Sequence, residues 1–155
     1  MSDKTIKILS TFFYIGYFPV APGTMASAAG ALIACMLAEH TFIYIILLMA
    51  ITYFGFQVCG EMEKVSGHKD PSCVVIDEVI GVMISFFLLP QTPAVIITAF
   101  FLFRAFDMFK IYPANKIEEL GGANGIILDD VVAGIYTNII MQIAVHFSGV
   151  GQYYS

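Results

Sequence analysis

Charge is scarce. Asp, Glu, Lys and Arg together make up only 12% of the 155 residues, against roughly 25% in soluble domains. Basic residues are the scarcer sign, with 7 bases against 12 acids and a net charge of −5. That balance excludes a partner read through a polyanionic backbone, so no nucleic acid is expected. Cysteine is limited to Cys35, Cys59 and Cys73. An odd number at wide spacing makes neither a disulfide framework nor a zinc pattern. Cys35 and Cys59 sit in apolar runs and read as small core residues. There is no internal repeat, no low-complexity tract and no dividing linker, so a single domain over 1–155 is expected. No small-residue cleavage site follows a clean apolar stretch at the N-terminus, so no cleavable signal peptide is expected.

What is abundant is apolar surface. Hydrophobic residues reach 59%, with 14 Phe, 8 Tyr and 8 Met, and the mean hydropathy is +0.84. A 155-residue globule has too little interior to hide this much, which leaves lipid as the second solvent. Polar punctuation divides the chain into five apolar segments at 24–38, 42–60, 72–89, 94–110 and 126–148. The expected fold is all-α, an integral-membrane helical bundle of about five transmembrane helices. Residues 4–18, followed by Pro19 and broken by Gly16, read as a short N-terminal interfacial helix or a re-entrant entry. Asp70 before Pro71 reads as a helix N-cap.

Threading five spans from a cytoplasmic N-terminus places Lys4, Lys7, Lys64, Lys69, Arg104, Lys110 and Lys116 on one side, as the positive-inside rule asks. The turns EHT and PQTP, on the other side, carry no Lys or Arg. The same threading leaves only Glu39 outside. It brings Asp77 and Glu78 of span three, Asp107 of span four, and Asp129 and Asp130 in the first turn of span five to one depth. Ionisable groups at a membrane span are costly and point to function. Adjacent acids repel unless a cation is present. Carboxylates without His or Cys suit a hard ion, Mg²⁺ or Mn²⁺. Asp77, Glu78, Asp107, Asp129 and Asp130 are therefore the candidate metal-binding and catalytic residues.

On a helix, FRAFDMFK puts Arg104, Asp107 and Lys110 on one stripe, a cation–anion–cation array suited to an anionic substrate. Two glycine-rich turns open onto helix starts, PVAPGT and GGANG. They make Gly23, Thr24 (as N-cap), Ser27, Gly122 and Asn124 candidate phosphate contacts. The assembled chemistry is a phosphate held by amides and bases, polarised by a divalent ion and attacked by activated water; attack by an Asp carboxylate is the open alternative. Cys73 has no arginine placed to complete a phosphate-binding cysteine loop, and no His stands near a basic motif. The rival function is a small transporter relaying protons or cations through intramembrane carboxylates. A relay spreads its acids across the membrane, whereas here they gather at one side.

The motifs GYFPVAPGTMAS (16–27), DPSCVVIDEVIG (70–81), FRAFDMFKIYP (103–113) and GGANGIILDDVVAG (121–134) occur in an order and spacing that resemble the phosphatidylglycerophosphatase A family of bacteria. The resemblance implies an integral membrane enzyme of bacteria; with the threading above, the expected place is the cytoplasmic membrane, multi-pass, with the N-terminus and active site cytoplasmic. It implies Mg²⁺-dependent removal of phosphate from phosphatidylglycerol phosphate, a phospholipid substrate. The family's acidic signature falls on Asp77, Glu78, Asp107, Asp129 and Asp130, with Lys110 as the matching base. The chain departs from the family pattern at Ile76, Ile111 and Tyr112, beside the charged positions.

Overall fold

A computed structural model describes residues 1–67 and 71–148. Among the described residues there are seven α-helices and no strand. They are α1 (Asp3–Ser10), α2 (Pro22–Met36), α3 (Thr41–Ser66), α4 (Ile76–Phe86), α5 (Pro93–Phe109), α6 (Ala114–Glu118) and α7 (Gly122–Ser148). All five predicted apolar segments become helices. Their lengths differ from the expectation: α3 and α7, with 26 and 27 residues, are long and apolar enough to cross a bilayer. Helices α2, α4 and α5 have 15, 11 and 17 residues, short of the about 20 that a span needs. The interfacial helix is shorter too. It stops at Ser10, because Phe12, Phe13 and Tyr14 all take positive φ and turn the chain before a 3-10 turn at Ile15–Tyr17. Asp70 and Lys69 lie outside the described residues. Helix α4 begins only at Ile76, so Pro71 is not its first residue.

Helix α4 is the buried centre. Ile76, Val79, Ile80, Val82, Met83 and Phe86 are all buried, packed between α7 on one side and α2 on the other. The apolar faces that remain point outward. The most apolar stretch of α3 is only 22% buried, and Phe42, Ile46, Met49, Leu32, Ile97, Phe101, Ile139 and Phe147 are exposed. A core helix of a water-soluble protein would not leave that much hydrocarbon uncovered.

At about 1.5 Å per residue, α4 rises only ~16 Å, so its last carbonyls end inside the bundle. Uncharged polar side chains cap them. Asn138 Nδ2 donates to Ser85 O (3.0 Å) and Phe87 O (2.8 Å). Gln142 Nε2 donates to Phe87 O at 3.2 Å, and the Tyr44 hydroxyl donates to Met83 O at 2.5 Å. Backbone groups away from water need such partners. Asn138→Leu is expected to lower unfolding stability in detergent by about 1–3 kcal/mol, the cost of an unpaired buried acceptor. Thermal denaturation beside the wild type checks this, and an unchanged midpoint would refute it.

Candidate active site

Five helix ends meet around one cavity of about 690 Å³. The N-termini of α2, α4 and α7 and the C-termini of α3 and α5 all contribute to its wall. This up-and-down order is what brings acids far apart in sequence to one place. Val75 N–H donates to Ser10 O at 3.0 Å, tying the start of α4 to the end of α1. Asp77 and Glu78 then occupy the first turn of α4, where the helix dipole favours negative charge.

Asp130 faces this turn from α7. One carboxylate oxygen each from Asp77, Glu78 and Asp130 lie within 4.8 Å of one another. Asp77 Oδ1, Glu78 Oε2 and Asp130 Oδ2 are buried and have no hydrogen-bond partner. Three converging carboxylates with unsatisfied oxygens are costly in a protein interior. An oxygen-loving cation would answer both the repulsion and the missing partners, so this donor set fits Mg²⁺.

The close approach of α4 and α7 depends on two glycines. A Cβ on Gly134 would run into Gly81 O, and one on Gly81 would lie 2.7 Å from Asp130 O and 2.6 Å from Phe103 Cε2. Gly23 has a related role at the start of α2, where a Cβ would collide with Glu78 Oε1.

The other two acids are engaged by bases. Asp107 pairs with Arg104 one turn earlier in α5 and stands within electrostatic reach of Glu78 and Asp130. Arg104 Nη1 also donates to Ser27 Oγ at 3.4 Å, while the Ser27 hydroxyl donates to Gly23 O at 2.8 Å. Asp129 is buried; its Oδ2 takes Lys110 Nζ at 2.6 Å and its Oδ1 accepts from Asp130 N–H at 3.0 Å.

The structure thus brings Asp77, Glu78, Asp107, Asp129, Asp130, Arg104, Lys110, Gly23 and Thr24 to one cavity wall. Four details of the sequence expectation change. Thr24 is not an N-cap; α2 starts at Pro22 after Ala21 in the left-handed region, which puts Thr24 inside the first turn. Ser27 is buried beneath the wall and contacts Arg104 rather than the cavity. Lys110 does not continue the α5 stripe: the helix ends at Phe109, and Lys110, with φ 45° and ψ 59°, swings to Asp129. Helix α7 starts at Gly122, so Asp129 and Asp130 lie beyond its first turn, and Gly121 and Gly125, not Gly122 and the exposed Asn124, face the cavity.

Glu63 and Glu119 also line the cavity and were not singled out from the sequence. Glu63 lies in the charged last turn of α3 and Glu119 just after α6, where an acid reads as an ordinary solvated residue. Ser72 was missed for the same reason.

Comparison with known proteins places the chain among lipid phosphatases. A family model described as Phosphatidylglycerophosphatase A matches residues 8–145. A Bacteroides thetaiotaomicron protein, provisionally named a phosphatidylinositol-3-phosphatase, is 33% identical over 150 residues, covering 88% of this chain and 91% of the relative. The phosphatidylglycerophosphatase A of Haemophilus influenzae is 34% identical over 140 residues, covering 88% and 86%. That of Escherichia coli is 31% identical over 142 residues, covering 90% and 83%. No solved structure matches the chain.

Proposed function

The chain belongs to the phosphatidylglycerophosphatase A family and is a phosphatase, a phosphoric monoester hydrolase; from that membership and the site geometry we propose that it removes the terminal phosphate of phosphatidylglycerol phosphate in a Mg²⁺-dependent reaction at the cytoplasmic membrane face. The observation that carries the reading is the convergence of the Asp77, Glu78 and Asp130 carboxylates, each of which also keeps a buried oxygen without a hydrogen-bond partner. The outward apolar faces of α3 and α7, each long enough to cross a bilayer, support a place in the membrane. A cytoplasmic site is supported by the charge pattern, since Arg104 and Lys110, at one end of α5, stand with the acids at the cavity.

Asp77, Glu78 and Asp130 would hold Mg²⁺. When bound there, the ion would draw the phosphate oxygens to the acidic wall and offset their charge in the transition state. Arg104 and Lys110 supply the remaining positive charge to the headgroup. Asp107 orients Arg104, and Ser27 steadies it from beneath. Glu78 reaches from the acidic trio to Gly23, the wall against which the phosphate would lie. We assign it the proton of the attacking water. The water oxygen bonds to phosphorus as the bond from phosphorus to the glycerol oxygen breaks, and the proton taken by Glu78 passes to that oxygen, which leaves as the hydroxyl of phosphatidylglycerol.

The test is phosphate release from purified protein in detergent, with and without a chelator. Release from phosphatidylglycerol phosphate should vanish on chelation and return with Mg²⁺. Phosphatidylinositol 3-phosphate belongs in the same assay because of the Bacteroides relative's name. Preference for that lipid would move the substrate assignment, and full turnover under chelation would remove the metal.

A further inference from the structure

We propose that Lys110, aimed by Asp129, forms a second anion subsite that holds the phosphodiester of the substrate while the terminal phosphate reacts at the acidic trio. The inference rests on the function proposed above and divides its pocket in two. Phosphatidylglycerol phosphate carries two phosphates on either side of a three-carbon glycerol. The terminal one is a monoester and is lost. The other joins the headgroup to the diacylglycerol, keeps a single negative charge and survives in the product.

Among the described residues, the cavity wall carries two cations suited to two anions, at different depths. Arg104 is the deeper, with 16% of its side chain exposed, beside Asp107 and under the Gly23 wall that Glu78 reaches. Lys110 is 29% exposed. It follows six residues later in the chain, as the left-handed residue that ends α5, and its ammonium turns away from the helix to Asp129 on α7. Beyond it the chain is exposed and apolar at Ile111 and Tyr112, and Phe109 before it is 80% exposed. Lys110 therefore marks the mouth, on the side that meets lipid.

The chemistry of the two side chains follows the same division. A planar guanidinium suits a phosphomonoester with several free oxygens, whereas an ammonium is a hydrated point charge suited to a monoanion at a wet rim. Lys110 is also held in place. Its backbone takes a left-handed conformation that is uncommon outside glycine. Asp129 fixes the ammonium at 2.6 Å while being fixed itself by the Asp130 N–H. This gives Asp129 a positioning role, separate from the trio that includes its neighbour Asp130.

The two products report the two subsites separately, because phosphatidylglycerol retains only the diester and inorganic phosphate mimics only the monoester. The experiment compares full-length wild type, Lys110→Gln and Lys110→Arg in detergent micelles. Lys110→Gln should raise KM for phosphatidylglycerol phosphate and weaken inhibition by phosphatidylglycerol, each by roughly 10-fold to 100-fold, the range for losing a hydrogen bond to a charged group. Inhibition by inorganic phosphate should stay within about 2-fold, with kcat little changed, and Lys110→Arg should recover part of the loss. Equal weakening of both inhibitors would place Lys110 at the reacting phosphate and overturn the proposal, as would no change in either. Direct binding of labelled phosphatidylglycerol to the same variants keeps the test independent of turnover. If wild type releases no phosphate but its phosphatidylglycerol binding still depends on Lys110, the functional reading fails and the subsite stands.

Discussion

Asp77→Asn and Asp130→Asn will each reduce phosphate release by roughly 10³-fold, the scale on which loss of a metal or transition-state contact is felt. Each replacement removes one anionic oxygen from a trio confined within 4.8 Å. The remaining two carboxylates grip a divalent ion more weakly and hold it off its place. A second readout separates this from misfolding. In wild type, Mg²⁺ at 100 times its dissociation constant should add about 2.7 kcal/mol of stability, seen as a rise in melting temperature. Both variants should lose most of that rise. Without metal they should melt no lower than wild type, because removing one of three crowded like charges relieves repulsion. Full turnover in both variants would end the assignment of the trio.

Gly81→Ala should be strongly damaging despite adding a single methyl group. Its new methyl would sit 2.7 Å from Asp130 O and 2.6 Å from Phe103 Cε2. One neighbour is backbone and the other a fully buried ring, so neither can retreat cheaply. The helices must separate, and overpacking of this kind costs about 1–3 kcal/mol. Activity should suffer more than stability. The crossing at Gly81 and Gly134 sets the spacing of Asp77 and Glu78 from Asp130, and about 1 Å of misplacement at a reacting centre costs on the order of 10²-fold. Gly60→Ala is the control. Its added carbon would lie 3.7 Å from Ala123 Cβ, an ordinary contact, in the interior of α3 where alanine is favoured by up to about 1 kcal/mol. Equal activity of the two variants would show that the α4–α7 crossing does not set the site.

The general plan was legible in the chain because hydropathy and charge are one-dimensional signals. Apolar runs located α2, α3, α4, α5 and α7 to within a few residues, and an alternating path of helices is enough to bring Asp77, Asp107 and Asp130 to one end. Helix ends were less legible. Whether Lys110 continues α5 or leaves it, and whether Asn124 lies before α7 or within it, depends on backbone choices that no local motif declares. The shortness of α4 was hidden for a different reason. An apolar run looks alike whether it is helical or capped by others, and its caps, Asn138 and Gln142, come from over fifty residues away.

The order of apolar runs and charges along the chain therefore determined by itself that the protein is a helical bundle rich in apolar surface with its acids gathered at one end, since burial and solvation act on every residue regardless of its partners. Only the tertiary structure decided how those acids divide. Asp77, Glu78 and Asp130 are left as open oxygens, while Asp107 and Asp129 are taken up by Arg104 and Lys110. That division is set by the rotational phase of each helix and by how closely Gly81 and Gly134 let α4 and α7 approach, and both are properties of packing between helices rather than of any one of them.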